Sequence, residues 1–260
     1  MHKARKRFGQ NFLHDQQVID RIVSAIRPKP DQHLVEIGPG QGALTEQLLA
    51  GTDGQLDVIE LDRDLIPILQ VKFFSAAALT IHEADALKFD FATLHPGEPL
   101  RVVGNLPYNI STPLLFHLLR FTDHITDMHF MLQKEVVERI CASPGGSDYG
   151  RLSVMMQYFC QTEYLFTVKP GAFNPAPKVD SAIIRLAPRP KHELTARSLE
   201  ALETMVRTSF SQRRKTLRNN LKQLMTQQQI EDAGIDPGLR PEKLSVADFV
   251  NLANQLTPHD

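Results

Sequence analysis

The sequence predicts an α/β domain with a mostly parallel sheet, followed by a small domain that contains only helices. Two observations support this fold class. Short apolar runs alternate with helical patterns between residues 33 and 140, which is typical of a parallel sheet with helices on both faces. Beyond Pro188 only helical patterns follow. We therefore place the two domains at residues 1–188 and 189–260.

The elements of the first domain follow from the spacing of its apolar residues. A first helix is predicted over residues 16–26, where apolar side chains recur at helical spacing, and Pro28 ends it. The predicted strands are residues 33–37, 56–60, 79–82, 100–103 and 127–132. The helices predicted between and after these strands are residues 43–49, 65–72, 112–119 and 135–140.

Two stretches rich in glycine and proline interrupt the pattern. They cover residues 143–147 and 170–178, and we expect both to be loops because these residue types disfavour regular structure. The second domain then carries helical patterns at residues 196–210, 212–225, 227–233 and 246–256.

Composition excludes several classes of protein. The chain has 260 residues, 42% of them hydrophobic, and can bury a core without disulfides or metals. Cys141 and Cys160 lack the spacing of a redox or metal pair, and the ten histidines show no metal-ligand spacing. No apolar run approaches the roughly 18 residues of a membrane span, and the basic start lacks the apolar stretch of a signal peptide. We expect a reduced, cytoplasmic protein without a metal or a membrane partner.

The net charge of −1 hides an uneven distribution. Residues 1–30 hold seven basic and two acidic side chains, whereas residues 31–130 hold five basic and fourteen acidic ones. Such asymmetry is a hint of a nucleic-acid or membrane partner, although solvated charge without a partner is the alternative for any single segment.

A glycine-rich turn follows the first predicted strand, at Gly38 and Gly40. Glycine lets the backbone pass close to a ligand, but the G-x-G-x-G spacing differs from that of dinucleotide-binding turns, and a purely structural turn is the alternative. Glu60 ends the second strand, where a carboxylate can accept both hydroxyls of a ribose. Asp85 follows the third strand and is placed for an adenine amino group. With Glu36, these acids predict a ligand crevice at the carboxyl ends of the strands.

The most specific motif is Asn105-Leu106-Pro107-Tyr108, directly after the fourth strand. The exocyclic amine of adenine is a poor nucleophile because its lone pair is delocalised into the ring. The Asn105 side-chain oxygen and the Leu106 carbonyl can accept its two N–H groups, which favours a pyramidal nitrogen with an available lone pair. Pro107 stiffens the turn, and Tyr108 offers a face for an extruded base. A strand-ending turn with a core tyrosine is the alternative.

The chain resembles the ribosomal RNA adenine N6-dimethyltransferases, and within them the bacterial small-subunit branch. The resemblance covers essentially the whole length and rests on four ordered motifs, Phe8-Gly9-Gln10-Asn11-Phe12-Leu13, Glu36-Ile37-Gly38-Pro39-Gly40, Asn105-Leu106-Pro107-Tyr108 and Phe173-Asn174-Pro175-Ala176-Pro177-Lys178-Val179-Asp180-Ser181. It implies a Rossmann-like S-adenosylmethionine-dependent methyltransferase sheet and a helical RNA-binding domain. It also implies dimethylation of two adjacent adenosines near the 3′ end of 16S ribosomal RNA, with a role in small-subunit biogenesis.

The resemblance also implies roles for individual residues. The residues implied to contact the methyl donor are Asn11, Leu13, Gly38, Gly40, Glu60, Leu61, Asp85, Ala86 and Asn105. Those implied in catalysis are Asn105, Leu106, Pro107, Tyr108 and Phe173, with Phe173 stacking on the target base opposite Tyr108.

A basic segment, residues 207–222, contains six cations and no acid. Arg207, Arg214, Arg218 and Lys222 share one helical face if the break near residue 211 is mild, and Arg213 and Lys215 flank them. We expect these six side chains to contact RNA phosphates, with a solvated face as the alternative. Arg5, Lys6 and Arg7 form a second candidate, a basic amino-terminal arm ordered by RNA.

Other functions remain open at this point. A non-catalytic ribosome-assembly factor, a large-subunit ribosomal RNA methyltransferase and a DNA adenine methyltransferase are alternatives, and a nicotinamide oxidoreductase is disfavoured by the glycine spacing. The intact Asn105–Tyr108 motif favours catalysis over binding alone. We expect a monomer whose partner is the small ribosomal subunit.

Overall fold

The computed structural model describes residues 10–53 and 55–256, and these form two compact units. The first contains the chain up to Val137 together with Glu163–Pro188, and the second contains Glu138–Thr162 together with the chain from Arg189 onward. One limit between the units falls after Pro188, and Glu138–Thr162 is grouped with the second unit; the two domains at residues 1–188 and 189–260 stay a prediction. The predicted basic arm, Arg5 to Arg7, lies outside the described residues.

The first unit contains a seven-stranded mixed sheet. Its strands are β2 (His33–Ile37), β3 (Leu56–Glu60), β4 (Leu79–Glu83), β5 (Leu100–Asn105), β6 (Ile125–Gln133), β7 (Cys160–Val168) and β9 (Ser181–Pro188), in the spatial order β4-β3-β2-β5-β6-β9-β7. The pairs from β4 to β6 are parallel, and β9 is antiparallel to β6. All five strands predicted from the sequence are therefore present and form the parallel part.

A separate two-stranded antiparallel sheet joins β1 (Phe12–Leu13) to β8 (Phe173–Asn174). Neither strand was predicted, and neither were β7 and β9. Two-residue strands carry too little sequence to show a period, and their pairing is set by tertiary contacts.

The helices of the first unit match the predicted pattern closely. They are α1 (Gln16–Ile26), α2 (Ala43–Gly51), α3 (Ile66–Lys72), α4 (Ser111–Leu118) and the start of α5 (Lys134–Ile140). Asp15 caps α1, since its side chain accepts a hydrogen bond from the Val18 N–H at 3.2 Å.

A buried ion pair fixes α1 to the sheet. Arg101 of β5 donates from Nε to Asp127 Oδ1 of β6 at 2.8 Å, and from Nη2 to the Ile26 carbonyl at 2.6 Å. Both charged residues are buried, with 8% and 5% of their surface exposed. The one Arg101 side chain therefore supplies hydrogen-bond donors both to the buried Asp127 carboxylate and to a carbonyl at the end of α1 that lacks a partner within the helix.

The register of the sheet places the predicted site residues at one edge. Ile37 of β2 lies opposite Ile59 of β3 and Gly104 of β5, so the chain leaves these three strands at neighbouring points. Because the strands are parallel, Gly38, Glu60 and Asn105 lie at the same end of the sheet.

The second unit contains the helices α6 (Arg151–Phe159), α7 (Leu199–Ser209), α8 (Leu217–Leu221), α9 (Gln227–Asp232) and α10 (Val246–Gln255). Helix α6, which was not predicted, packs against α7 and α10, and seven of its nine residues are buried. This packing explains why residues 138–162 join the second unit. The core there includes Leu202, Val206, Leu217, Leu221 and Phe249, each at 0% exposure.

The predicted helix over residues 212–225 is wrong. Residues 211–215 form turns, Thr216 is extended, and only Leu217–Leu221 is α-helical. The buried Asn220 side chain explains the break, because its Nδ2 donates to the carbonyls of Ser209 at 2.7 Å and Gln212 at 3.2 Å.

Over residues 10–53 and 55–256, no helix is both long and apolar enough to cross a membrane. The same residues hold no group of three or more His, Cys, Asp or Glu side chains suited to a metal ion.

Candidate active site

A cavity of about 380 Å³ opens in the first unit at the carboxyl ends of the parallel strands. Its lining comes from five stretches of the chain, residues 10–13, 36–44, 59–65, 84–87 and 105–110. All nine residues expected to contact a donor line it, as do the four residues of the Asn105–Tyr108 turn. The structure therefore brings together residues that are up to 97 positions apart in the chain.

The glycine turn requires glycine at two positions. Gly38 and Gly40 have φ angles of 67° and 59°, in the left-handed region that side chains disfavour. A Cβ on Gly40 would also lie 3.0 Å from the Phe12 ring. The backbone of these two residues forms a glycine cradle that lines the cavity without side chains of its own, and the Phe12 ring occupies the space beside Gly40.

Glu60 is held in place by backbone N–H groups. Its Oε1 accepts from Asp62 N at 2.8 Å and its Oε2 from Gly40 N at 3.3 Å. Only 7% of the residue is exposed, and burial raises the pKa of the carboxyl group, opposed by these hydrogen bonds. The carboxylate is therefore oriented before any ligand arrives.

Glu36 is a second buried acid in the cavity wall. It is 2% exposed, and its Oε2 accepts from Thr45 Oγ1 at 2.6 Å. Burial raises the pKa of this carboxyl to about 7, although the Thr45 hydrogen bond works in the opposite direction. Glu36 therefore changes charge near neutral pH.

The third acid, Asp85, is partly exposed and lines the cavity beside Ala86. Its Oδ1 accepts from Leu87 N at 3.0 Å, which fixes the loop after β4. Leu61, on the loop after β3, is 48% exposed and borders the same opening.

The Asn105 amide is oriented by the segment that precedes β1. Its Nδ2 donates to the Asn11 carbonyl at 3.0 Å, and its Oδ1 has no partner among the described residues. Leu106 N donates to the Met131 carbonyl at 3.2 Å, so the turn is anchored on β6. The side-chain atom that remains free to act in the cavity is therefore an acceptor.

Tyr108 completes the turn at the cavity wall. Its hydroxyl lies 2.5 Å from Ser181 Oγ, and its carbonyl accepts from Ser111 Oγ at 3.1 Å. Burial raises the pKa of the phenol. The ring is half-buried and stays neutral at physiological pH.

Phe173 lies outside the cavity lining in this structure. We expected its ring to face Tyr108 across a target base, but it is 4% exposed, belongs to the hydrophobic core and is not part of the cavity lining. The reason is the pairing of β8 with β1, which sets Phe173 opposite Leu13. A contact with a target base stays a prediction.

Comparisons with known proteins decide the family. The family model described as ribosomal RNA adenine dimethylase matches residues 1–258 of the chain.

The chain belongs to the ribosomal RNA adenine dimethylase family.

Two relatives illustrate the similarity. The chain is 64% identical to ribosomal RNA small subunit methyltransferase A of Pseudomonas aeruginosa over 256 residues, which cover 98% of this chain and 95% of the relative. It is 59% identical to the protein of the same name from Marinobacter nauticus, with coverages of 98% and 92%.

Solved structures agree with this assignment. A dimethyladenosine transferase from Plasmodium falciparum has a TM-score of 0.78 and 27% identity, and covers 93% of this chain and 95% of its own. The 23S rRNA methyltransferase ErmE has a TM-score of 0.73 and 29% identity, with coverages of 95% and 99%. The predicted family and fold class are confirmed, and the chain is a ribosomal RNA adenine dimethyltransferase with S-adenosylmethionine as the methyl donor. The comparisons do not favour the alternative functions.

In this dimethylase the basic segment is exposed but is not one helical face. Arg207 lies in the last turn of α7, Arg214 and Lys215 lie in the turns that follow, Arg218 lies on α8, and Lys222 comes directly after it. These five cations are exposed and form no ion pair within the part of the chain that the structure describes. They remain available to an anionic partner.

Arg213 differs from its neighbours because it is already engaged. Its Nη2 donates to the carbonyls of Ser147 and, at 3.1 Å, Tyr149. Gly145 N also donates to the Glu242 carbonyl at 2.6 Å. The glycine-rich loop is therefore held within the second unit by several hydrogen bonds, and Arg213 has a structural contact that its spacing did not reveal.

Sequence reasoning gave no role to three residues at the dimethylase cavity. Gln10 Nε2 donates to Asp62 Oδ2 at 2.8 Å, and Asp62 is 1% exposed. Phe12 contacts the glycine turn. Gln10 and Phe12 belong to a motif of the resemblance, which could have indicated them, whereas Asp62 carries no signal beyond its position two residues after Glu60.

Proposed function

We propose that this chain transfers methyl groups to N6 of two adjacent adenosines near the 3′ end of small-subunit ribosomal RNA, and methylates each of them twice. The single observation that carries the proposal is the orientation of Asn105. Its Nδ2 is occupied by the Asn11 carbonyl, so its Oδ1 is the atom that accepts from an amine entering the cavity. The names of the relatives, which specify the small subunit, support the choice of RNA.

The cavity fits the methyl donor. The cradle at Gly38 and Gly40 has no side chain to obstruct a ligand, and Glu60 presents an oriented carboxylate suited to ribose hydroxyls. Asp85 is suited to the adenine amino group, and Asn11 and Leu13 close the wall. When bound, S-adenosylmethionine supplies a methyl group that its sulfonium centre has already activated.

The chain's own residues prepare the target amine. Asn105 Oδ1 and the Leu106 carbonyl accept the two N–H groups and so make the nitrogen lone pair available. Tyr108 gives the base a surface for stacking, and Pro107 limits movement of the turn. No strong general base is needed, because the N6 proton becomes acidic only after methyl transfer. Positioning thus supplies most of the rate acceleration.

The second unit is proposed to bind RNA through the exposed cations of the basic segment. Five of its cations are exposed and form no ion pair with described residues, so they can contact phosphates: Arg207, Arg214, Lys215, Arg218 and Lys222. The partner is the small ribosomal subunit, and the protein acts as a monomer in the cytoplasm. Arg5, Lys6 and Arg7 remain proposed as a further RNA contact.

Mapping of the methylated bases tests the function. The protein is incubated with labelled S-adenosylmethionine and unmethylated small ribosomal subunits, and unmethylated large subunits serve as the control. We expect label on two adjacent adenosines near the 3′ end of the small-subunit RNA and none on large subunits. Label on large-subunit RNA, or no label on either, would contradict the proposal.

A separate measurement tests the donor assignment. Glu60→Ala should weaken S-adenosylmethionine binding by roughly ten- to a hundredfold, because hydrogen bonds to a charged group are lost. Glu163→Ala, which removes an exposed acid outside the cavity lining, is the control. Equal calorimetric affinities of the two variants would exclude the ribose role of Glu60.

A further inference from the structure

Ser181 is a buried hydroxyl residue at the end of the fourth motif. It is the first residue of β9, has 0% exposure and lies opposite Gln133 of β6. Its Oγ is 2.5 Å from the Tyr108 hydroxyl, its one side-chain hydrogen bond within residues 10–53 and 55–256. A buried position on a strand needs no hydroxyl for packing, so this contact distinguishes serine from alanine there.

Tyr108 is thereby held at both ends. Ser111, which is 1% exposed, donates to the Tyr108 carbonyl, and Ser181 contacts the phenol. A tyrosine side chain has only two rotatable bonds before its hydroxyl. The hydroxyl oxygen lies on the axis of the second of these bonds, so fixing the backbone and the hydroxyl sets the first torsion angle and with it the position of the ring in the cavity wall.

Ser181 is itself a fixed point. The Asp180 carbonyl accepts from Lys134 N at 2.9 Å, and the Asp180 carboxylate accepts from Lys169 Nζ at 2.7 Å. The residue before Ser181 is thus attached to two other elements. The hydroxyl that reaches Tyr108 has a defined position relative to the sheet.

We propose that Ser181 is a positioning residue that sets the Tyr108 ring as the surface on which the target adenine stacks. The inference rests on the proposed function, because a stacking surface matters only if a base enters the cavity. Tyr108 lines the cavity and Ser181 does not, so Ser181 acts through Tyr108. The loop of residues 174–180 thereby connects to the target side of the cavity through one hydrogen bond.

A double-mutant cycle tests this role. Ser181→Ala should lower kcat/KM for methylation of unmethylated small subunits by roughly three- to tenfold, the effect expected for one lost neutral hydrogen bond. Tyr108→Phe should have a similar effect, and the double variant should lose no more than either single one. Affinity for S-adenosylmethionine, measured by calorimetry, should equal that of the wild type in all three.

Ser153→Ala is the matched control. Ser153 also has 0% exposure, and its hydroxyl donates to the Arg139 carbonyl within the second unit. Any loss of kcat/KM in this variant should be the same with and without Tyr108→Phe. The same additivity for Ser181→Ala, or a loss of donor affinity, would reduce Ser181 to a structural residue.

The two proposals fail in different ways. If the wild type does not methylate adenosines of the small subunit, the proposed function is wrong. If the wild type methylates them and Ser181→Ala retains full kcat/KM, only the inference about Ser181 is wrong.

Discussion

The cavity and the basic segment hold their functional side chains in opposite ways. At the cavity, Glu60 and Asn105 are fixed by hydrogen bonds to backbone groups, and Glu36 is buried against Thr45. In the basic segment, the cations other than Arg213 are exposed and without ion pairs among the described residues. Fixed groups suit the in-line geometry of a chemical step, whereas exposed charges act at longer range and adapt to a polyanion.

The largest expected effect comes from the fixed region. Asn105→Ala removes the acceptor for the target amine and should lower the rate of methyl transfer by roughly 10²- to 10³-fold, as for other preorganised hydrogen-bonding groups in active sites. Donor affinity should fall far less than the rate, because Asn105 is only one of the proposed donor contacts and Glu60 and the glycine cradle are unchanged. Near-normal methylation of immature small subunits by this variant would show that the amide does not act on the amine.

The stability of the first unit can be tested at Arg101, near the amino end of β5 and away from the strand end that carries the cavity. Arg101→Leu leaves Asp127 buried without the guanidinium that donates to both of its oxygens, so the free energy of unfolding should fall by about 3–5 kcal/mol. Arg185→Leu is the matched control, because Arg185 approaches the same carboxylate at 3.6 Å but is 39% exposed. It should lower the free energy of unfolding by less than about 1 kcal/mol. Equal losses in chemical denaturation would indicate that Arg101 is not the main partner of Asp127.

The same contrast explains what could be predicted from the sequence. The residues at the strand ends were predicted because apolar runs define parallel strands, and parallel strands bring their carboxyl ends to one edge. The single helical face predicted from Arg207 to Lys222 does not form. The Asn220 side chain donates to the carbonyls of Ser209 and Gln212 and interrupts the helix. Hydrogen bonds of this kind, between a side chain and distant backbone carbonyls, produce no periodic pattern of apolar residues and so cannot be predicted from the sequence.

Phe173 and Ser181 show the same limit within one motif. The resemblance directed attention to the aromatic ring, but the pairing of β8 with β1 buries that ring in the core. The hydroxyl at the other end of the motif reaches Tyr108 instead. Sequence spacing identified the motif, and only the fold assigns contacts to its members.

The buried acid Glu36 in the cavity wall should make the free energy of unfolding depend on pH. The pKa of Glu36 is raised from an ordinary 4.5 to about 7, so the folded state binds this proton more tightly than the unfolded state does. Stability from this group is complete below about pH 4.5 and is lost as the pH rises through about 7. Glu36→Gln should therefore gain about 3 kcal/mol relative to the wild type between pH 5 and pH 8. If the difference in the free energy of unfolding between Glu36→Gln and the wild type stayed constant from pH 5 to pH 8, the raised pKa of Glu36 would be contradicted.

The smallest effect is expected in the basic segment. Arg214→Gln with Arg218→Gln should weaken RNA binding and reduce the slope of log affinity against log salt by about 1.4 to 1.8. Arg213→Gln is the control, because that guanidinium is bound to the loop carbonyls and should affect mainly the stability of the second unit. An unchanged slope in the double variant would remove both arginines from the RNA interface.

Single-turnover methyl transfer at saturating concentrations of unmethylated small subunits separates the chemical step from RNA affinity. If the cavity performs the chemistry and the basic segment supplies affinity, the double variant Arg214→Gln with Arg218→Gln should recover the wild-type rate at saturation. Asn105→Ala should remain at least about 10²-fold slower under the same conditions. Recovery of Asn105→Ala at high subunit concentration, or a persistent defect in the double variant, would contradict the account.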